Sequence, residues 1–374
     1  MLDALQGLLS WSVYGIPAFL FLITVVVFFH ELGHFSVARL FGVRIETFSI
    51  GFGPAIVKWT DRKGTLWKIS WIPLGGFVKF FGDADGASTP DREAAARMSP
   101  AERGVAFPYK PLWQRALIVV AGPVANFILA IVILTVMFMA VGRVLTPAVV
   151  SAVVPHSVAE SAGVRAGDVI VAIDGDRIAS YEELQQIVSL SAGQNLPIVL
   201  SRAGKELTVW ATPRETEITD PFNNKMKVGQ LGIKNTTPRR LVRLGPIDAV
   251  GAAFGEVGDI VSVTFRARGQ LFKGNGSQLS GPLGIAKLSG QVAAVSFLAL
   301  IQLAALLSVS IGLVNLFPIP LLDGGHLLYY ACEGVLGRPL GERAQDVGFR
   351  LGLAVVLGIF LLATWNDLVR LNLF

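Results

Sequence analysis

The stretch FFHELGHF, residues 28–35, places His30, Glu31 and His34 within five positions, in the pattern H-E-x-x-H. On a helix, positions i and i+4 share a face. Both imidazoles can then bind one Zn2+ while Glu31 serves as general base. Three fixed positions alone are a weak signal, but the context strengthens it. The stretch ends an apolar run, and ionisable groups in a membrane span are costly and usually functional. The chain has only four histidines, and two of them are here. The bland alternative is a polar cluster at the cytoplasmic end of a helix.

A catalytic zinc commonly has three protein ligands and an open position for water. The segment NLFPIPLLDGGH, residues 315–326, supplies a candidate third ligand in Asp323, with His326 ranked below it. Pro318 and Pro320 interrupt the helix there. Broken backbone at membrane depth is tolerated where it lines a protein cavity. A helix-end cap is the structural alternative for Asp323. The fourth histidine, His156, is expected to face solvent.

The elements that must position these groups read as membrane spans. Of 374 residues, 52% are hydrophobic and 16% charged, where a soluble protein has about 25% charged. Apolar runs cover 13–29, 116–141, about 291–322 and about 351–365. A helix needs about 20 apolar residues to cross the hydrocarbon. The first run reaches that length only by continuing through HELGHFSVA, and the fourth is short. With no Lys or Arg before it and no small-residue cleavage site after it, the first run reads as a retained span. Arg39, Arg44, Lys58, Arg97, Arg103, Lys110 and Arg115 lie near the membrane ends of the first loop. The positive-inside rule makes that loop cytoplasmic. Runs one and three then cross in the same direction, so His30, His34 and Asp323 should meet at one cytoplasmic-side level. The net charge of +5 follows topology and is no nucleic-acid signal. The single cysteine, Cys332, excludes an intramolecular disulfide and a cysteine-based metal site.

The expected fold class is a polytopic α-helical membrane protein with about four transmembrane helices, a membrane-associated β-loop and one inserted α+β module. Residues 1–43 hold the first span, and 44–80 are short β-rich stretches with a turn at DRKG. Residues 81–112 form a polar cytoplasmic segment, and 113–142 hold the second span. Residues 147–213 form a soluble module whose order and spacing resemble a circularly permuted bacterial PDZ domain, most specifically in AGVRAGDVIVAIDG. Such a domain usually takes an extended peptide beside an exposed strand. A helix is expected to open at Ser180, and a hairpin to turn at Ala203-Gly204. Residues 214–290 include one or two amphipathic helices over 238–268, expected along the outer membrane surface. Residues 291–322 hold the third span, and 323–374 the fourth with the C-terminus.

Three segments, VFFHELGHFSVARLFGVRIETFSIGFGP, FPYKPLWQRALIVVAGPVANFILA and NLFPIPLLDGGHLLYY, resemble the site-2 protease family of intramembrane zinc metalloproteases. The likeness is to its bacterial regulator-of-sigma-E protease branch and runs through essentially the whole chain in order. It implies zinc ligation by His30, His34 and Asp323, with Glu31 as base. It also implies substrate handling by Asn315 and by Gly51 and Gly53 of a membrane-associated β-loop. The expected partners are the lipid bilayer and transmembrane substrates, among them an anti-sigma factor after a first cut and remnant signal peptides. The expected place is the bacterial inner membrane, as a monomer, with the PDZ module periplasmic and the active site toward the cytoplasm. The best-known members of this branch carry two tandem PDZ domains, whereas this chain has room for one. The competing readings are a catalytically inactive PDZ membrane adaptor and a metal transporter, which the lack of an internal repeat disfavours.

Overall fold

The computed structural model describes residues 2–83, 97–178, 180–219, 225–238, 240–271 and 281–370. Helix α1 (Leu2–Leu40) runs on into strands β1 (Ile45–Thr60) and β2 (Leu66–Phe80). A short helix α2 (Pro100–Val105) precedes the long helix α3 (Leu112–Ala140). Beyond the soluble module come α6 (Pro246–Leu271), α7 (Pro282–Val295), α8 (Phe297–Asn315), α9 (Asp323–Leu336) and α10 (Glu342–Arg370). Among the described residues, four helical stretches are long and apolar enough to cross a membrane: Tyr14–Leu40, Leu112–Ala140, Phe297–Asn315 and Arg343–Val369.

The membrane core is built from α1, α3 and α8. Ala18 and Leu22 of α1 bury against Leu300, Leu303 and Ala304 of α8. Ala130, Leu134 and Phe138 of α3 pack with Ala305 and Val309 of α8. Small residues at these contacts let helix backbones approach, as membrane helices require when lipid is as apolar as leucine. The outward faces are apolar too. Ile128, Val132 and Val136 of α3 are exposed, as expected of side chains that meet lipid.

The third apolar run departs from expectation. It is not one helix over 291–322. The chain breaks at Ser296, whose φ and ψ are extended and whose side chain accepts from the Leu298 amide as an N-cap. The preceding helix α7 packs against α1, with Gly290 close to Gly15. The span proper is α8, 19 residues long. The last span is longer than its apolar run. Asp367, 1% exposed, accepts from the amides of Gly281 and Gly284 at the start of α7, fastening α10 to that helix.

The β-rich loop forms one sheet from two long bent strands. Residues 66–69 pair with both 57–60 and 47–50, and 47–50 pair in turn with residues 76–79. The sequence TLWKISWI therefore begins inside the sheet, not on an edge. Among the described residues, 57–60 and 76–80 form the two outer strands of this sheet. Asp61, in the expected turn, accepts from the amides of Lys63 and Thr65, the Trp67 indole and Arg39 Nη2, the last at 2.7 Å. Burial pushes the Asp61 carboxyl up, but Arg39 and these donors outweigh it and hold it well below the usual carboxylate range. Arg39 lies in the last turn of α1, so this network clips the sheet to that helix. Phe48, Val78 and Phe80 then bury with Phe35 and Ala38 of α1 and Ile118 of α3. Phe52, Trp59, Trp71 and Ile72 stay exposed, an apolar surface suited to the membrane interface.

The inserted module has a four-stranded sheet, ordered β6 (Asp176–Arg177), β5 (Val169–Ile173), β7 (Leu196–Arg202) and β8 (Lys205–Ala211). Short helix α4 (Val158–Ser161) and α5 (Tyr181–Leu190) pack on it, and α5 opens at the Ser180 N-cap. The β7–β8 turn contains Ala203 and Gly204, both at positive φ. The module does not end at 213. After the hairpin of β9 (Arg214–Thr219) and β10 (Lys225–Gln230), β11 (Ile233–Lys234) pairs with β4 (Ala152–Val153). Leu231 is buried in the module core. A groove of about 720 Å³ runs between α5 and residues 228–234. Before and after the module, β3 (Arg143–Leu145) and β12 (Arg240–Val242) pair with each other where the chain leaves and rejoins the helices.

The helical stretch expected along the outer surface is the single helix α6. Its Ala249, Ala253 and Val257 are buried against α3 and α8. Its Phe265 meets Phe317 of the α8–α9 connection, with ring centroids 6.3 Å apart. It belongs to the bundle and reaches the segment that carries Asp323.

Candidate metal centre

His30 and His34 lie one turn apart on α1 and turn their rings toward α3. Two glycines permit this. A Cβ on Gly33 would meet the Ala121 carbonyl and, at 2.7 Å, the Ala125 side chain. A Cβ on Gly122 would run into the His34 ring and, at 2.9 Å, His30 Cε1. Each helix thus has a glycine where the other presses closest. The α3 residues that face the site, Ile118, Gly122 and Asn126, recur every fourth position and so share one face.

Asp323 arrives from the opposite side. After α8 ends at Asn315, the chain turns through two prolines, and Leu321 sits at φ 90°, a conformation sparsely used by side-chain-bearing residues. Gly324 and Gly325 pack directly under the carbonyls of residues 316, 317 and 319, where a side chain would not fit. That packing explains the pair of glycines after Asp323. About three turns later, Glu333 accepts two hydrogen bonds from Arg115 at 2.5 and 3.2 Å. This clamp ties α9 to the start of α3, and with it Asp323 to the histidines.

The three candidate ligand atoms converge. Asp323 Oδ2 is 3.2 Å from His30 Nε2 and 3.5 Å from His34 Nε2, and the two Nε2 atoms are 3.2 Å apart. Ligands held about 2.0–2.1 Å from a tetrahedral zinc lie about 3.3 Å from one another. The triangle therefore fits that ion. Asp323 Oδ2 is buried and stands against both imidazoles, which suits an atom directed at a cation they share. His34 Nδ1 lies 2.9 Å from the Ile118 carbonyl. Donation there leaves Nε2 with its lone pair aimed at the centre, the second contact that metal-binding histidines commonly make. His30 Nδ1 faces the side-chain amide of Asn126 at 3.2 Å.

Glu31 is 9% exposed. Its carboxylate accepts from the Val78 amide, and a Cβ on Gly76 would stand 3.0 Å from Glu31 Cγ. The 76–80 edge of the sheet therefore lies directly over this carboxylate, with a glycine at the tightest point.

The remaining candidates are placed differently. Asn315 is half-buried as the last residue of α8. Gly51 is buried and Gly53 exposed, and both have positive φ in β1. His326 is not in the metal-capable cluster, which among the described residues is His30, His34 and Asp323. His156 sits at a solvent-exposed turn with φ 58°. Reasoning from sequence missed Ile118, Gly122, Asn126 and Val78. One usable signal was present for Asn126: it and Thr135 are the only polar side chains in the run 116–141.

The comparisons with known proteins agree with this geometry. A family model described as Peptidase family M50 matches residues 18–359. The chain is 46% identical to Atu1380 of Agrobacterium fabrum, named as a zinc metalloprotease, over 96% of each chain. It is 40% identical to the metalloprotease MmpA of Caulobacter vibrioides, over 95% of each. It is 33% identical to RC0203 of Rickettsia conorii, also named as a zinc metalloprotease, over 96% of this chain and 99% of that one. With four membrane-length helices and a histidine–carboxylate centre suited to zinc, the chain belongs to peptidase family M50, the site-2 protease family of zinc metalloproteases.

Proposed function

We propose that this chain is an intramembrane zinc endopeptidase of the bacterial inner membrane that cuts the transmembrane segments of single-pass proteins. The observation that carries the reading is the convergence of His30, His34 and Asp323 beside Glu31, on helices whose outer faces are apolar. His30, His34 and Asp323 would hold the zinc, which would supply an activated water and polarise the scissile carbonyl. Glu31 accepts a proton from that water and delivers it to the leaving amine. The Val78 amide holds the Glu31 carboxylate in place for both transfers. Asn315 serves as a hydrogen-bonding group for substrate backbone.

A helical substrate must unwind before its scissile bond is reachable, and its freed amides and carbonyls then need partners. The sheet offers them by strand addition. The edge that suits this role is 76–80, because it already lies against Glu31. Gly51 and Gly53 shape the strand behind it. The inserted module is read as a single PDZ domain, completed by β11, that screens or recruits the extracytoplasmic part of substrates. The expected substrates are an anti-sigma factor after a first cut and remnant signal peptides.

The test is cleavage of a single-span reporter by the purified full chain in nanodiscs, with mass spectrometry of the products. A cut inside the apolar segment, absent with Glu31→Gln, is the expected result. A cut confined to the soluble flanks, or equal cleavage by Glu31→Gln, would overturn the proposal.

A further inference from the structure

Asn126 is fully buried in the middle of α3, surrounded by the helix bundle. Such a position favours an apolar residue unless the amide makes necessary hydrogen bonds. Its backbone carbonyl accepts from Ser308 Oγ at 2.8 Å, which accounts for helix packing but not for the side chain. The amide nitrogen stands 3.2 Å from His30 Nδ1, and Oδ1 has no hydrogen-bond partner among the described residues. As placed, the amide would donate to Nδ1. That leaves the proton of a neutral His30 on Nε2, the atom that must offer a lone pair to the metal. The two ends of a side-chain amide are told apart by the network around them. Turning the amide by 180° puts Oδ1 against Nδ1 as an acceptor. The two orientations differ in the ring nitrogen they leave bare. Only the turned one leaves His30 Nε2 free to ligate.

We infer that Asn126 is the positioning residue of His30: its Oδ1 accepts from His30 Nδ1–H, fixing the tautomer and ring plane that zinc binding needs. The inference rests on His30 being a zinc ligand and deepens that assignment. Asn126 does for His30 what the Ile118 carbonyl does for His34. Both come from the α3 face that also carries Gly122, so α3 supplies no ligand yet orients both histidines. An acceptor on the far ring nitrogen also raises the basicity of the ligating one.

The test measures zinc affinity of the full chain in nanodiscs, stripped with chelator and titrated against a chromophoric competitor, with the spectrum of bound Co2+ as a second readout. Wild type is compared with Asn126→Leu and Asn126→Asp. Leu keeps the size without an acceptor, whereas Asp keeps the size and the acceptor. Losing a second-contact partner costs 10–100-fold in metal affinity. The expected result is a loss of about that size for Asn126→Leu, with a shifted Co2+ spectrum, and affinity at or above wild type for Asn126→Asp. A packing role predicts the reverse order, because leucine suits a dry interior better than a carboxylate. Wild-type affinity and spectrum in Asn126→Leu would overturn the inference. Should that variant fail to fold, nitrogen NMR of 15N-histidine-labelled wild type decides: a metal-bound His30 protonated at Nδ1 supports the inference, and one protonated at Nε2 refutes it. If no variant or wild type binds zinc at all, the ligand assignment itself fails, which is a separable result.

Discussion

Gly122→Ala is the smallest change that should empty the metal centre while leaving the fold in place. The added methyl would stand 2.9 Å from His30 Cε1 and closer still to the His34 ring. Ordinary contact begins at 3.4 Å, so His30 must retreat by about 0.5 Å and His34 by more. Zinc sites hold their ligand distances to within about 0.2 Å, so even the smaller shift exceeds that tolerance. His34 cannot simply slide away, because its Nδ1 is bound to the Ile118 carbonyl at 2.9 Å. It must either break that bond or abandon the centre. The expected loss in zinc affinity is at least the 10–100-fold seen for weaker disturbances, equal to about 1.4–2.7 kcal/mol. The assay is zinc titration of the stripped, nanodisc-held protein, with limited proteolysis to show that the helices remain packed. A folded Gly122→Ala chain that binds zinc as wild type does would refute the claim that α3 presses on both imidazoles.

Three further predictions concern other contacts. Gly33→Val should act on the fold as well as the site, since its added atoms meet the α3 backbone, which cannot yield. Overpacking of this kind costs about 1–3 kcal/mol, read as a lower melting temperature and faster proteolysis. Arg115→Leu removes both hydrogen bonds to Glu333; thermal unfolding should show a loss of about 2–3 kcal/mol, and zinc affinity should fall as α9 loosens. In the inserted module, the Arg202 guanidinium bound to Asp168 holds that carboxyl below its usual range. The folded value therefore lies below the unfolded one, about 3.9. Stability from this pair is complete above that pH and drains away as pH falls through the folded value. Asp168→Asn should accordingly flatten the acid limb of the unfolding profile of the module's near-ultraviolet signal. An unchanged limb would show that the pair contributes nothing.

The chemistry was more legible in the sequence than the packing that supports it. His30, Glu31 and His34 stand out because charge inside an apolar run is conspicuous, and Asp323 because prolines and glycines surround it. Counting spans led to the expectation that they share one depth, and the structure brings three candidate ligand atoms together. The break at Ser296 was hidden because hydropathy averages over it; only the serine N-cap marks it. The last strand of the inserted module was missed because it pairs with β4, about 80 residues earlier, and no local pattern reports so distant a partner. Which strand forms the sheet edge over Glu31 was not legible for a related reason. Alternating residues reveal strands, but which strand ends up inside depends on pairing, and 66–69 is flanked on both sides. Gly33 and Gly122 look like ordinary helix glycines until the partner helix is in view.

The central claim is that His30, His34 and Asp323 hold one zinc and that Glu31 turns it to hydrolysis. The most direct measurement determines bound zinc and reporter cleavage in parallel for the wild type, Glu31→Gln and Asp323→Ala, each as the full chain in nanodiscs. The account predicts one zinc and cleavage for the wild type, one zinc without cleavage for Glu31→Gln, and neither for Asp323→Ala. Cleavage by Glu31→Gln, or a full complement of tightly bound zinc in Asp323→Ala, would contradict it.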